Sequence, residues 1–139
     1  MLMTLKEELP HISSTVQVVK IMTDILHGMN QADRDKECLW AILMDNRNYV
    51  RGIDLIYMGS SCGMPVSTRE IFRVAQSSGA TSVIVTHNHP GRTTDPSPED
   101  LVVYKKLRRA SAILGIRFLD FIIFTIEGRY FSLMDQKVR

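Results

Sequence analysis

Ser82-Val83-Ile84-Val85 is a short, largely apolar run that ends in Thr86-His87-Asn88-His89-Pro90. Such a run reads as a buried strand, and a strand sends residues i and i+2 to the same face. His87 and His89 therefore leave the strand end pointing the same way. Two imidazoles side by side, each with a free lone pair, are the beginning of a zinc site.

A third ligand must be held rigidly nearby, and Asp100 is the candidate. Ser97-Pro98-Glu99-Asp100 reads as a helix start, with Ser at the N-cap and Pro at the first helical position. Asp100 then lies in the first turn, fixed by backbone rather than by a loose loop. Two His and one Asp leave the fourth tetrahedral corner open, which separates a catalytic zinc from a structural one. Apart, His-x-His and Ser-x-x-Asp are each common without a metal, the second as an ordinary helix cap. Together, on the lip of a strand and the first turn of the next helix, they favour one zinc ion held by His87, His89 and Asp100.

The spacing His-x-His, seven residues, Ser, two residues, Asp resembles the signature of the JAMM (MPN+) metalloproteases. The form His-Asn-His-Pro followed by Pro-Ser-x-x-Asp is similar to the RadC branch, over nearly the whole chain from about Ile12 to about Ile126. The resemblance implies a cytidine-deaminase-like JAB/MPN fold and zinc-dependent hydrolysis of a peptide or isopeptide bond in a protein or peptide substrate. It also implies a general base: in the family this is a Glu near the start of an early strand, the place occupied here by Glu37. On residue type alone, a Glu at the head of a strand is more often a solvated strand end. Glu70 has an alternative explanation in a capping box with Ser67, and Glu99 should point away from Asp100. The family also gives the Ser matching Ser97 a hydrogen bond to the developing oxyanion. Capping uses that hydroxyl as an acceptor, so it remains free to donate.

Two departures from the branch stand out. Relatives commonly carry Ser-Gly after His-Asn-His-Pro, where this chain has Gly91-Arg92, and Asp-His in the late strand, where it has Asp120-Phe121. The expectation is a short form without the helix-hairpin-helix module of many relatives, so nucleic-acid binding that belongs to that module is not carried over. A second function remains open, that of a DNA-repair or nucleic-acid-associated accessory protein. Its support is the cluster Lys105, Lys106, Arg108 and Arg109, which also fits a solvated basic helix face.

Composition sets the bounds. At 139 residues, 45% hydrophobic and 23% charged, the chain suits one globular core. A net charge of +2 is too mild to argue for nucleic acid or membrane by itself. No apolar run approaches the roughly 20 residues of a membrane helix. Cys38 and Cys62 make no Cys-x-x-Cys pair and read as reduced thiols, although one disulfide between them stays open. With no signal-peptide pattern over Met1–Glu8, the expectation is a cytoplasmic protein. The oligomeric state has no signature.

Residues 1–12 read as an arm and 13–139 as the domain. Ser14 with Gln17 forms a capping box for a helix with Val16, Val19 and Leu26 in its stripe, stopped near Gly28. Residues 30–36 are a polar connection. Glu37–Asp45 and Tyr49–Tyr57 read as a strand hairpin, and 58–65 as irregular. A helix follows from Ser67 to Gly79, with Ile71, Val74, Ala75 and Ser78 on one face. Thr81–Thr86 is the strand that delivers the histidines. A helix over 98–114 turns Asp100, Val103, Tyr104, Leu107, Ser111 and Leu114 inward. Strands over 116–126 and 129–134 complete an α/β (α+β) class: a mixed sheet packed by about three helices.

Overall fold

A computed structural model describes residues 2–3, 10–59 and 67–138, with side chains over 10–59 and 67–135. Its elements are β1 (Leu2–Met3), α1 (Thr15–Gly28), α2 (Gln31–Arg34), β2 (Glu37–Met44), β3 (Val50–Gly59), α3 (Thr68–Ser77), β4 (Ser82–Asn88), α4 (Pro98–Leu114), β5 (Arg117–Phe124), β6 (Tyr130–Ser132) and α5 (Leu133–Val138). The strands form one mixed sheet in the order β1-β3-β2-β4-β5-β6. Among the described strands only β4 and β5 run parallel, joined by the crossover through α4; the other neighbours are antiparallel. The expected α/β class with a mixed sheet holds. Of the stretch 58–65 expected to be irregular, Met58 and Gly59 instead end β3, carried on by pairing with β2; 60–65, Cys62 within it, and arm residues 1 and 4–9 lie outside the described residues.

The sheet is buried on both faces, so its central strands are apolar throughout rather than alternating. Alternation decides only which helix each side chain meets. Leu39, Ala41, Leu43, Val83, Val85, Phe121 and Ile123 pack against α3 and α4. Cys38, Trp40, Ile42, Met44, Ile84, Ile122 and Phe124 face the other way and pack against α1. The end of the arm is tied to the sheet by backbone bonds, Ile12 N–H to the Asn48 carbonyl and Val50 N–H to the Pro10 carbonyl, both 2.9 Å.

The structure adjusts several expectations. The stripe of α1 is Val18, Val19, Met22 and Leu26, while Val16 is 63% exposed. Val16 lies roughly a quarter turn round the helix from that stripe. The connection over 30–36 contains the single turn α2, capped by the Asn30 side chain. Ser67 caps α3, but the reciprocal half of the box is missing, because the Glu70 carboxylate pairs with Arg73 instead. Leu114 keeps the right angular position yet is 45% exposed, in an open groove with Arg69 and Phe72. Gly115 ends α4 in the left-handed region, φ 71°, as a helix stop should. The last strand is short, and Leu133 and Met134 begin α5 instead.

Asp120 explains why the chain turns into a helix there. This buried carboxylate accepts from Ser132 Oγ at 2.6 Å, from Met134 N–H at 3.1 Å and from Phe121 N–H at 2.7 Å. Ser132 Oγ in turn caps the Asp135 N–H. Burial raises the Asp120 pKa, and the hydrogen bonds only partly offset it. Its contribution to stability is therefore full below the unfolded value of about 4 and is lost as pH rises through the raised folded value. Asp120→Ala should cost about 2 kcal/mol by urea denaturation, with loss of amide protection over 133–135. Asp120→Asn, which cannot ionise, should lose less stability than the wild type does between pH 3.5 and 6.

Candidate metal centre

The site is assembled by strand period and by one helix cap. In β2 and β4 the last backbone pair at this end is Leu39 opposite His87. Residues directly opposite share a face, and Glu37 lies two residues before Leu39, so Glu37, Leu39 and His87 all face α4. Glu37 Oε2 comes to 3.9 Å from His87 Nε2. His89 lies just past the strand and is held to it by its N–H, which donates to the Phe124 carbonyl at 2.9 Å. The two imidazole rings meet edge to face, 4.9 Å between centroids.

Asp100 arrives from the opposite side on the first turn of α4. Ser97 Oγ accepts from the Asp100 N–H at 3.1 Å, and Asp100 Oδ2 accepts from the Ser97 N–H at 2.9 Å, a complete capping box. The same carboxylate faces both imidazoles: Oδ1 lies 3.1 Å from His87 Nδ1, and Oδ2 lies 3.2 Å from His89 Nε2. Asp100 is fully buried and His87 nearly so. Burial alone would raise the Asp100 pKa. His87, His89 and the Ser97 N–H outweigh it and hold the carboxyl far below its usual range, so it is an anion.

His89 Nδ1 lies 3.2 Å from the Thr93 carbonyl. An N–H there would fix the ring and leave Nε2, the nitrogen beside Asp100, free to bind a metal ion. Sequence reasoning missed Thr93, since a loop carbonyl carries no side-chain signal. Both nitrogens of His87 and Oδ1 of Asp100 are buried without a hydrogen bond. Buried polar atoms are normally satisfied. His87 Nδ1 and Asp100 Oδ1 face each other at 3.1 Å, where a shared cation would satisfy both, while His87 Nε2, on the opposite edge of the ring, faces Glu37. Ligands on a tetrahedron with metal bonds of about 2.0 Å sit about 3.3 Å apart, close to the contacts seen. One ligand atom from each of His87, His89 and Asp100 lies within 4.8 Å of the others. Two imidazoles and a carboxylate suit a divalent ion.

The other candidates fall elsewhere. Glu70 on α3 is engaged by Arg73, and Glu99 is exposed. Ser97 is half-buried, with its oxygen used as an acceptor. Asn88 turns to the α1 face of the sheet, away from the ligands. Cys38 is a free, buried thiol, pushed up to about 11 by burial and by Asp33, and is therefore inert at neutral pH. Arg108 is drawn over the Tyr104 ring at 5.8 Å, which leaves Lys105, Lys106 and Arg109 exposed on α4. Among the described residues, no helix is long and apolar enough to cross a membrane.

The family model for the RadC-like JAB domain matches residues 12–138. This chain belongs to the RadC family. Among curated RadC-family relatives, a UPF0758 protein of Shouchella clausii is 37% identical over 127 residues, covering 91% of this chain and 53% of that protein. A UPF0758 protein of Methanococcoides burtonii is 41% identical over 101 residues, 73% of this chain and 44% of the relative. One from Flavobacterium johnsoniae is 30% identical over 131 residues, 94% and 55% respectively. The chain thus spans about half the length of the curated RadC relatives it matches.

The RadC-family site predicts a definite metal response. The purified protein should take up one divalent ion per chain by plasma emission spectroscopy, and His89→Ala or Asp100→Asn should abolish uptake. Free ion at 100 times its Kd should stabilise the wild type by about 2.7 kcal/mol and leave either variant unmoved.

Proposed function

We propose that the protein is a zinc-dependent hydrolase that cuts an amide bond, peptide or isopeptide, in a protein or peptide substrate. The observation that supports this reading is the Glu37 carboxylate standing 3.9 Å from His87, beside the His87, His89 and Asp100 group rather than within it. A carboxylate in that position is what a hydrolytic metal centre needs and a purely structural one does not. When bound, a zinc ion would supply Lewis acidity and make water a nucleophile at neutral pH.

The chain's own groups then divide the work. Glu37 takes the proton from the attacking water and returns it to the leaving amine, which would otherwise depart as an amide anion. Glu37 is partly exposed, at 23%, so substrate can reach it. Ser97 keeps its hydroxyl proton to donate while its lone pair caps α4, and a donor aimed at the carbonyl oxygen can lower the barrier by about 3 kcal/mol. Asp100 stays anionic and holds both imidazoles at fixed separation.

Glu37→Gln should retain stoichiometric zinc and lose hydrolysis of a fluorogenic peptide or isopeptide library by at least about 100-fold. Ser97→Ala should cost about 1 kcal/mol of stability and lower kcat by about 100-fold with metal retained. Undiminished turnover in the Glu37 variant would remove the base from this scheme.

A further inference from the structure

Asn88 stands between the two histidines in sequence, yet its side chain leaves them. The strand period that turns His87 toward α4 turns Asn88 to the other face, where it is 1% exposed. There its carboxamide takes hold of the chain 50 residues earlier: Oδ1 accepts from the Cys38 N–H at 2.6 Å, and Nδ2 donates to the Lys36 carbonyl at 3.0 Å. Those two backbone groups flank Glu37. A peptide N–H can only donate and a carbonyl can only accept, so one orientation of the amide satisfies both.

The placement matters because backbone pairing between β2 and β4 stops at Leu39 and His87. Beyond that pair β2 stays paired with β3, Glu37 opposite Gly59 and Cys38 opposite Met58, while its β4 side has no further backbone pair. The Asn88 carboxamide carries one C=O and an N–H, like a peptide unit, and extends the ladder past the point where the backbones part. On the β4 side this extension is what ties the backbone around Glu37. Among the described residues, no hydrogen bond holds its carboxylate, which reaches His87 only through the course of the backbone beneath it.

We infer that Asn88 is a positioning residue for Glu37: it clamps the peptide groups on either side so that the carboxylate stays beside His87. Its catalytic consequence rests on Glu37 being the base; the clamp itself does not. Aspartate at 88 would keep the acceptor for Cys38 and lose the donor to Lys36, and alanine would lose both.

The test uses crystals of wild type, Asn88→Ala and Asn88→Asp loaded with zinc chloride, together with zinc content and steady-state kinetics on a library peptide. In Asn88→Ala the Glu37 carboxylate should leave the position it has in the wild type, with zinc still stoichiometric. Its kcat should fall 10- to 100-fold at unchanged KM, and Asn88→Asp should fall between. If Asn88→Ala does not fold, Asn88→Asp gives the same readout, supported by faster exchange of whichever flanking backbone group is released. Glu37 found in its wild-type position in both variants overturns the inference, as does loss of zinc in step with activity. Should Glu37→Gln hydrolyse normally, the base assignment fails, while displacement of Glu37 in the Asn88 variants still upholds the clamp.

Discussion

A fully buried carboxylate is the constraint on which the site turns. Asp100 has left water entirely, and an ion in that position must be compensated or it would take up a proton. The start of α4 offers part of the compensation, through the Ser97 N–H and the positive end of the helix. The rest comes from two imidazoles, and neutral imidazoles present lone pairs as readily as N–H groups. Oxygen and nitrogen lone pairs at 3.1–3.2 Å attract only when a cation lies among them. The raised pKa of His89 expresses this: burial lowers it, and Asp100 more than reverses the effect. The cluster can hold either a proton or a metal ion.

That cluster exists because four segments agree in phase. The turn that ends β4 holds His89, strand period orients His87 and Glu37 alike, and the cap of α4 fixes Asp100. The cap and the ligand are one device, since the carboxylate that closes the box on Ser97 is the one that faces the histidines. An ordinary helix-start motif thereby also holds a carboxylate rigidly against two imidazoles, at little added cost in conformational entropy.

How much of this could be read in advance follows the range of each interaction. His87 and His89 were legible because period 2 is local, and Asp100 because Ser97 and Pro98 announce a helix start within a few residues. Glu37 was not legible from its own surroundings; only the family resemblance pointed to it. Its nearness to His87 depends on β2 lying next to β4, a pairing across 50 residues that no local pattern encodes. Asn88 was read correctly as facing away, but its partners are backbone groups with no sequence signal. Thr93 escaped for the same reason. The single turn α2 and the terminal α5 were missed because each is fixed by side-chain caps, Asn30 and the Asp120–Ser132 pair, rather than by an apolar stripe.

Phe121, where relatives commonly carry His, bears on the same electrostatics. It sits opposite Val85 in β5, on the face of His87 and one step deeper in the sheet. Its ring meets Tyr104 edge-on at 6.4 Å, and Tyr104 lies one turn beyond Asp100 on α4. The floor beneath the ligands is therefore aromatic and apolar, with no ring N–H to offer to Asp100. A histidine there could share the burden of the buried charge; phenylalanine cannot. Among the described residues, the side chains that answer the Asp100 carboxylate are the two ligand imidazoles alone. With phenylalanine at 121, the buried charge of Asp100 is left to those two imidazoles and to any cation bound among them.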